Sequence, residues 1–311
     1  MAENLSALID RLGRVGLDQA TSSGLLLLGL TGLTLGGLYS LHRWLHPNLP
    51  QHQQIARWLR LESFRSPRSG ELPLASALIL LICLGLFGLL SLGVVLGNPL
   101  SPIDQALTAG FQQLRSVSLE PWVVGLTLLG DSFHLVLLGL VLCLNFILNR
   151  NRAAAGLWIG ATLTLLLLNP LLKLSFAIPR PEILIQPLQS LSFPSGHSSN
   201  SMLFITLLAT FLAQQLPYPR RWWVYSPAAM LALGIGLSRI YLGAHWFSDV
   251  LGGWLLGLAV CAVSRLIYSR FDRQPVSFNR PWLWLAGLAL SAAYLSTRLS
   301  GAVIGYLPAS F

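Results

Sequence analysis

The 311-residue chain is 54% hydrophobic and 10% charged, with a mean hydropathy of +0.64, which excludes an ordinary soluble globular domain. Its net charge of +9 is scattered through short loops, so it reads as a topological signal in a membrane protein and no nucleic-acid partner is expected. Cys83, Cys143 and Cys261 all fall inside apolar runs and read as small apolar fillers.

The first residues are mixed in charge and lack an apolar core, so no cleavable signal peptide is expected. Over 3–18, Leu5, Leu8, Ile9, Leu12 and Val15 recur at helical spacing, which predicts an amphipathic helix on the membrane surface. Runs long enough to cross a bilayer, about 17–25 residues each, then recur along the chain. The first spans about 22–41, where Gly32 and Gly36 form a pair suited to close helix packing. A polar, arginine-rich segment follows, about 42–73; its histidines have no ligand-like grouping, and Ile55, Trp58 and Leu59 suit a helix lying on the surface.

The second span is about 74–96. Ser101-Pro102-Ile103-Asp104 reads as an N-cap, an N1 proline and an acidic third position. A short helix is expected there along the outer interface, with Ile103, Leu107, Phe111 and Leu114 on one face. The third run, about 121–148, is interrupted by Asp131 and His134. In one straight helix Asp131 would lie about 15 Å deep at 1.5 Å per residue, where a carboxylate is costly. The helix proper is therefore expected to begin near Asp131, with 121–130 forming part of a rim. Asp131 reads as a helix cap, a substrate contact being the alternative, and His134 as its hydrogen-bond partner.

The fourth span runs about 153–172, with Pro170 closing it just before Lys173. The loop from 174 to 193 holds Arg180 between two prolines and is apolar beyond them (Ile183, Leu184, Ile185, Leu188), which suits a headgroup-level segment. The fifth span is about 197–215, and Arg220-Arg221-Trp222-Trp223 reads as an interfacial turn. The sixth is about 226–241, the seventh begins at His245 and runs to about 266, and the eighth is about 282–299. Basic residues crowd the turns after spans one, three, five and seven, which places those turns in the cytoplasm. The polar blocks near 173–180, 194–197 and 238–249 then all fall on the external side.

Those blocks carry the chemistry. They read K-x6-R-P from Lys173 to Pro181, P-S-G-H from Pro194 to His197, and S-R-x5-H-x3-D from Ser238 to Asp249. His245 and Asp249 are four apart, so on a helix they would share a face, and the carboxylate would fix the imidazole tautomer. Histidine can carry a covalent intermediate. Lys173, Arg180 and Arg239 supply a compact charge and two forked guanidinium groups suited to phosphoryl oxygens. Ser195 and Gly196 open a helix whose free N–H groups suit an anion, leaving His197 as a general acid. A metal centre built from His197, His245 and Asp249 is the rival reading, but three nearby cations oppose a divalent ion.

In these three ordered blocks the chain resembles the type 2 phosphatidic acid phosphatase superfamily, integral-membrane lipid phosphate phosphatases related to vanadium haloperoxidases. The resemblance implies that His245 attacks phosphorus, Asp249 orients it and His197 protonates the leaving group. Lys173, Arg180, Ser195, Gly196 and Arg239 would hold phosphate. No metal or other cofactor is implied. The expected fold is all-α: a polytopic bundle of about eight spans, with a six-helix phosphatase core at 74–268. An extra span lies on each side of it, in 1–73 and 269–311. Expected partners are the bilayer and a lipid phosphate, with phosphatidate, phosphatidylglycerophosphate and polyprenyl pyrophosphate all compatible. The short loops suggest a bacterial cytoplasmic membrane. Transfer to another lipid or sugar acceptor, and a non-catalytic lipid-binding role, are the other functional readings.

Overall fold

A computed structural model describes residues 73–185, 188–217, 220–271 and 276–308. The expectations at 3–18, 22–41 and 42–72 lie outside the described residues. Within them the regular structure is helical apart from one antiparallel bridge, Leu184 to Pro308. The helices are α1 (Pro73–Val95), α2 (Ser101–Gln113), α3 (Glu120–Leu129), α4 (Ser132–Leu148), α5 (Arg152–Phe176), α6 (Gly196–Ala213), α7 (Trp222–Tyr241), α8 (Phe247–Phe271) and α9 (Pro281–Gly305).

Three of them, α1, α5 and α8, are long and apolar enough to cross a membrane unaided. The α3–α4 pair adds a fourth if counted as one broken span, bent by 49°. Of the eight spans expected, that is the number the described residues carry on length and composition alone. Polar turns dilute α6 (Ser198–Ser201) and α9 (Ser296–Arg298). Large apolar side chains stay exposed along the bundle, Leu81 at 61% and Leu89 at 68% among them. Lipid is the solvent that such a surface suits, and the protein is an integral membrane protein.

The centre of the bundle is α8, which packs chiefly against α1 and α6. Its contact with α6 is close because of Gly253 and Gly257. A Cβ at either would stand 2.6 Å from the Ser195 carbonyl or 2.5 Å from that of Ser199. Small residues four apart let backbones touch where no hydrophobic effect drives helices together.

The break at Gly130 follows the expectation at Asp131, whose carboxylate caps α4 by accepting from the Phe133 and His134 amides. Other expectations need correction. Pro170 does not close the fourth span: α5 continues through it to Phe176, so Lys173 sits in the last helical turn. Neighbouring helices can compensate the lost backbone bond in a membrane, and Asn169 ties α5 to Ser199 of α6 at that level. Ser101 is not a side-chain cap; α2 begins with it, and the Asp104 carboxylate turns away to another helix. His134 does bond Asp131, but through its amide; its ring bonds the Leu129 carbonyl and Ser291. The expected apolar side of α2 is not contradicted: Ile103 and Leu114 stay exposed, while the polar side turns inward and buries Asp104 and Thr108. That orientation is what a helix between protein and lipid requires.

Candidate active site

The polar blocks meet because four chain turns end at one face of the bundle. Lys173 comes from the last turn of α5 and Arg180 from the loop beyond it. Gly196 and His197 open α6, Arg239 lies in the last turn of α7, and His245 stands in the turn entering α8. That turn needs Gly243, whose φ of +66° is left-handed.

His245 thus precedes α8 instead of beginning it, and the shared helix face with Asp249 does not exist as expected. The pair forms all the same, His245 Nδ1 lying 3.1 Å from Asp249 Oδ2. The same oxygen accepts from the Trp246 amide at 2.9 Å and from the Ser192 hydroxyl. His245, Asp249 and Ser192 are all buried, at 1%, 0% and 0% exposure. With Nδ1–H given to the carboxylate, Nε2 carries the lone pair, and Arg180 Nη1 donates to it at 3.0 Å. Burial, then the nearby Arg180, Arg239, Lys173 and His197, hold His245 well below the ordinary histidine range.

The cations are supported by oxygens of the backbone and of hydroxyls. Arg180 donates to the Ser190 carbonyl (2.6 Å), the Ser190 hydroxyl (2.8 Å) and the Ala244 carbonyl (2.5 Å). Burial and the neighbouring Arg239 lower its pKa to about 10, which leaves it charged at neutral pH. Lys173 Nζ donates to the carbonyls of Leu191 and Ser192. Arg239, 2% exposed, donates through Nη1 to Thr127 Oγ1 at 2.9 Å and to the Tyr306 hydroxyl at 2.8 Å. Its Nε is buried, with no hydrogen-bond partner among the described residues. Positive charge in a partly dry site, matched to neutral acceptors, suits an anion with several oxygens.

His197 is the more open imidazole: its side chain is 22% exposed, and Nε2 stands 3.9 Å from Asp131 Oδ2. Ser195 contributes differently from the expectation of a phosphate donor. Its hydroxyl caps α6 by accepting from the Ser198 amide, and its own amide donates to the Asp249 carbonyl. Gly196 and His197 open α6, so their amides have no acceptor within the helix. Among the described residues no three His, Cys, Asp or Glu side chains are grouped as metal ligands.

Four contributors escaped the sequence reading. Ser192 steadies Asp249, and Thr127 and Tyr306 steady Arg239. Asp104, 1% exposed, accepts from both the amide and the hydroxyl of Ser248 at 2.8 Å, pinning the start of α8 from α2. None has a spacing signal, since each acts across more than 50 residues of chain.

Residues 154–273 match the profile of the PAP2 superfamily. The chain is 33% identical over 187 residues to phosphatidylglycerophosphatase B of Bacillus subtilis, covering 57% of this chain and 89% of that one. It is 34% identical over 95 residues to the undecaprenyl-diphosphatase of Sulfolobus acidocaldarius, covering 30% of this chain and 42% of the relative. Among solved structures it is similar to a transmembrane PAP2-type phosphatidylglycerolphosphate phosphatase from Bacillus subtilis. There the TM-score is 0.54 and the identity 31%, over 65% of this chain and 98% of that chain.

Proposed function

The chain belongs to the PAP2 superfamily, and we propose that it hydrolyses a lipid phosphate or pyrophosphate through a phosphohistidine, at the external face of a bacterial cytoplasmic membrane. That it is a phosphoric ester hydrolase acting on lipid phosphate follows from its relatives. The finer reading is carried by one observation: His245 is held by Asp249 at Nδ1 while Nε2 meets the first cation of a cationic cluster.

In the first step the Nε2 lone pair forms a bond to phosphorus as the phosphorus–oxygen bond to the lipid breaks. His197 gives its proton to the departing oxygen. Arg180 moves its donor from Nε2 to a phosphoryl oxygen, and Lys173, Arg239 and the Gly196 and His197 amides take the others. Ser195 supports that set by capping the helix that presents them. In the second step a water attacks phosphorus, His197 removes its proton, and the nitrogen–phosphorus bond breaks to free phosphate. Phosphate monoester hydrolysis calls for accelerations up to roughly 10^21-fold, and one preorganised donor supplies about 2.7–4 kcal/mol at comparable sites. Several donors and a covalent step are therefore what the reaction demands. Phosphatidylglycerophosphate and undecaprenyl pyrophosphate, named for the relatives, lead the substrate classes, with phosphatidate beside them.

The test is phosphate release by purified protein in detergent, from diacyl lipid phosphates and a polyprenyl pyrophosphate, with and without EDTA. Release that resists EDTA and vanishes in His245→Ala is expected. Release abolished by EDTA would overturn the histidine mechanism. No phosphate release, with the phosphoryl group appearing on an added lipid or sugar acceptor, would make the protein a phosphotransferase.

A further inference from the structure

The family match ends at residue 273, before α9 begins, yet α9 reaches the site. It packs against α3 and α4, and its end is fastened by three separate contacts. The Tyr306 carbonyl accepts from Arg115 Nη2 at 2.7 Å, and Arg115 is itself paired with the buried Glu120 at 2.6 Å. The Ile185 amide donates to the Leu307 carbonyl at 3.0 Å, beside the Leu184–Pro308 bridge. The third contact is the hydroxyl itself, which accepts from Arg239 Nη1 at 2.8 Å while the Arg239 guanidinium carbon lies 5.2 Å from the ring centre. As an acceptor there, the phenol keeps its own proton, and no acceptor engages it among the described residues.

We propose that Tyr306 is a further phosphate-binding residue, its hydroxyl donating to the phosphoryl oxygen that Arg239 holds. The proposal rests on the reading of Arg239 as a phosphate ligand. A tyrosine present only to steady Arg239 needs its ring and its hydroxyl oxygen as an acceptor; one that binds phosphate also needs its proton. Tyr306→Phe removes donor and acceptor alike, so it is made both in wild type and in Arg239→Ala, where only a direct contact with phosphate is left to lose. The strap at 306–308 holds that donor beside the loop that carries Arg180.

Inorganic phosphate is titrated against the full-length wild type and Tyr306→Phe in detergent, and against the same pair in Arg239→Ala, reading the rise in unfolding temperature. Lipid hydrolysis is measured alongside. A donor to a charged group is lost, so phosphate affinity and kcat/KM should each fall about tenfold, with the phosphate-free unfolding temperature unchanged. Equal affinity in the two proteins of either pair, whatever happens to the unfolding temperature, would overturn the proposal. Tyr306→Gln and Tyr306→Leu repeat the question without the ring: the amide donor should hold phosphate more tightly, and equal affinities would again overturn it. The titration needs no turnover. A wild type that binds phosphate but hydrolyses no lipid would overturn the hydrolase reading and leave this one standing.

Discussion

His245 is a histidine kept neutral by its surroundings: burial and four neighbouring groups, Arg180, Arg239, Lys173 and His197, all disfavour the imidazolium. Its folded pKa lies below the ordinary value of about 6.5. The free enzyme should therefore keep its nucleophile well into the acid range, and the histidine limb of kcat/KM against pH should fall below 6.5. The sign for stability runs the same way. The stabilisation from this group is fully present above the unfolded-state pKa and is lost as pH falls from there toward the folded value. A pH-rate profile checks the first expectation; a His245 limb at or above 6.5 would contradict it.

At the scale of helices, the site depends on how closely α8 and α6 approach, because the first carries Asp249 and the second carries His197. Gly257→Leu should separate them, since even a Cβ would stand 2.5 Å from the Ser199 carbonyl. Overpacking of this kind costs on the order of 1–3 kcal/mol, so a lower unfolding temperature in detergent and a large loss of phosphate release are expected. Unchanged values of both would mean the helices are not in contact there. The sequence made the ends of these elements readable, through Pro194-Ser195-Gly196 before α6, Asp131 before α4 and the apolar runs between. Gly32 and Gly36, expected to pack closely, lie outside the described residues; Gly253 and Gly257, which do pack closely, were not singled out, because period alone does not say which partner a glycine faces. Lys173, Arg180, Gly196, Arg239, His245 and Asp249 were readable from spacing within short blocks. Ser192, Asp104, Thr127 and Tyr306 were not, because their contacts depend on tertiary packing between distant segments.

Seen whole, the molecule has two unlike ends. The site lies at one, and the turns with Arg150, Arg220, Arg221 and Arg280 lie at the other, where Asn145 and Gln215 bond the 276–277 backbone. On the proposed function, the expected route of the lipid phosphate to the first end is from the bilayer, past the apolar loop after Arg180. A charge at Leu184 does not test that route, for Leu184 is 6% exposed and sits at the bridge to Pro308. Ile185 is 60% exposed, and Ile185→Asp should cut turnover of a long-chain lipid phosphate severalfold while sparing a soluble phosphate ester. Equal losses on both substrates would count against lateral entry.

The contact between Arg180 and His245 Nε2 has a consequence for selectivity. A lone pair already engaged by a guanidinium is a poor target for any passing electrophile, and only an anion able to draw that guanidinium away frees it. In the proposed mechanism the charge of the phosphate is therefore a condition of reaction as well as a handle for binding. An uncharged ester could slip between the same helices and find the nucleophile occupied.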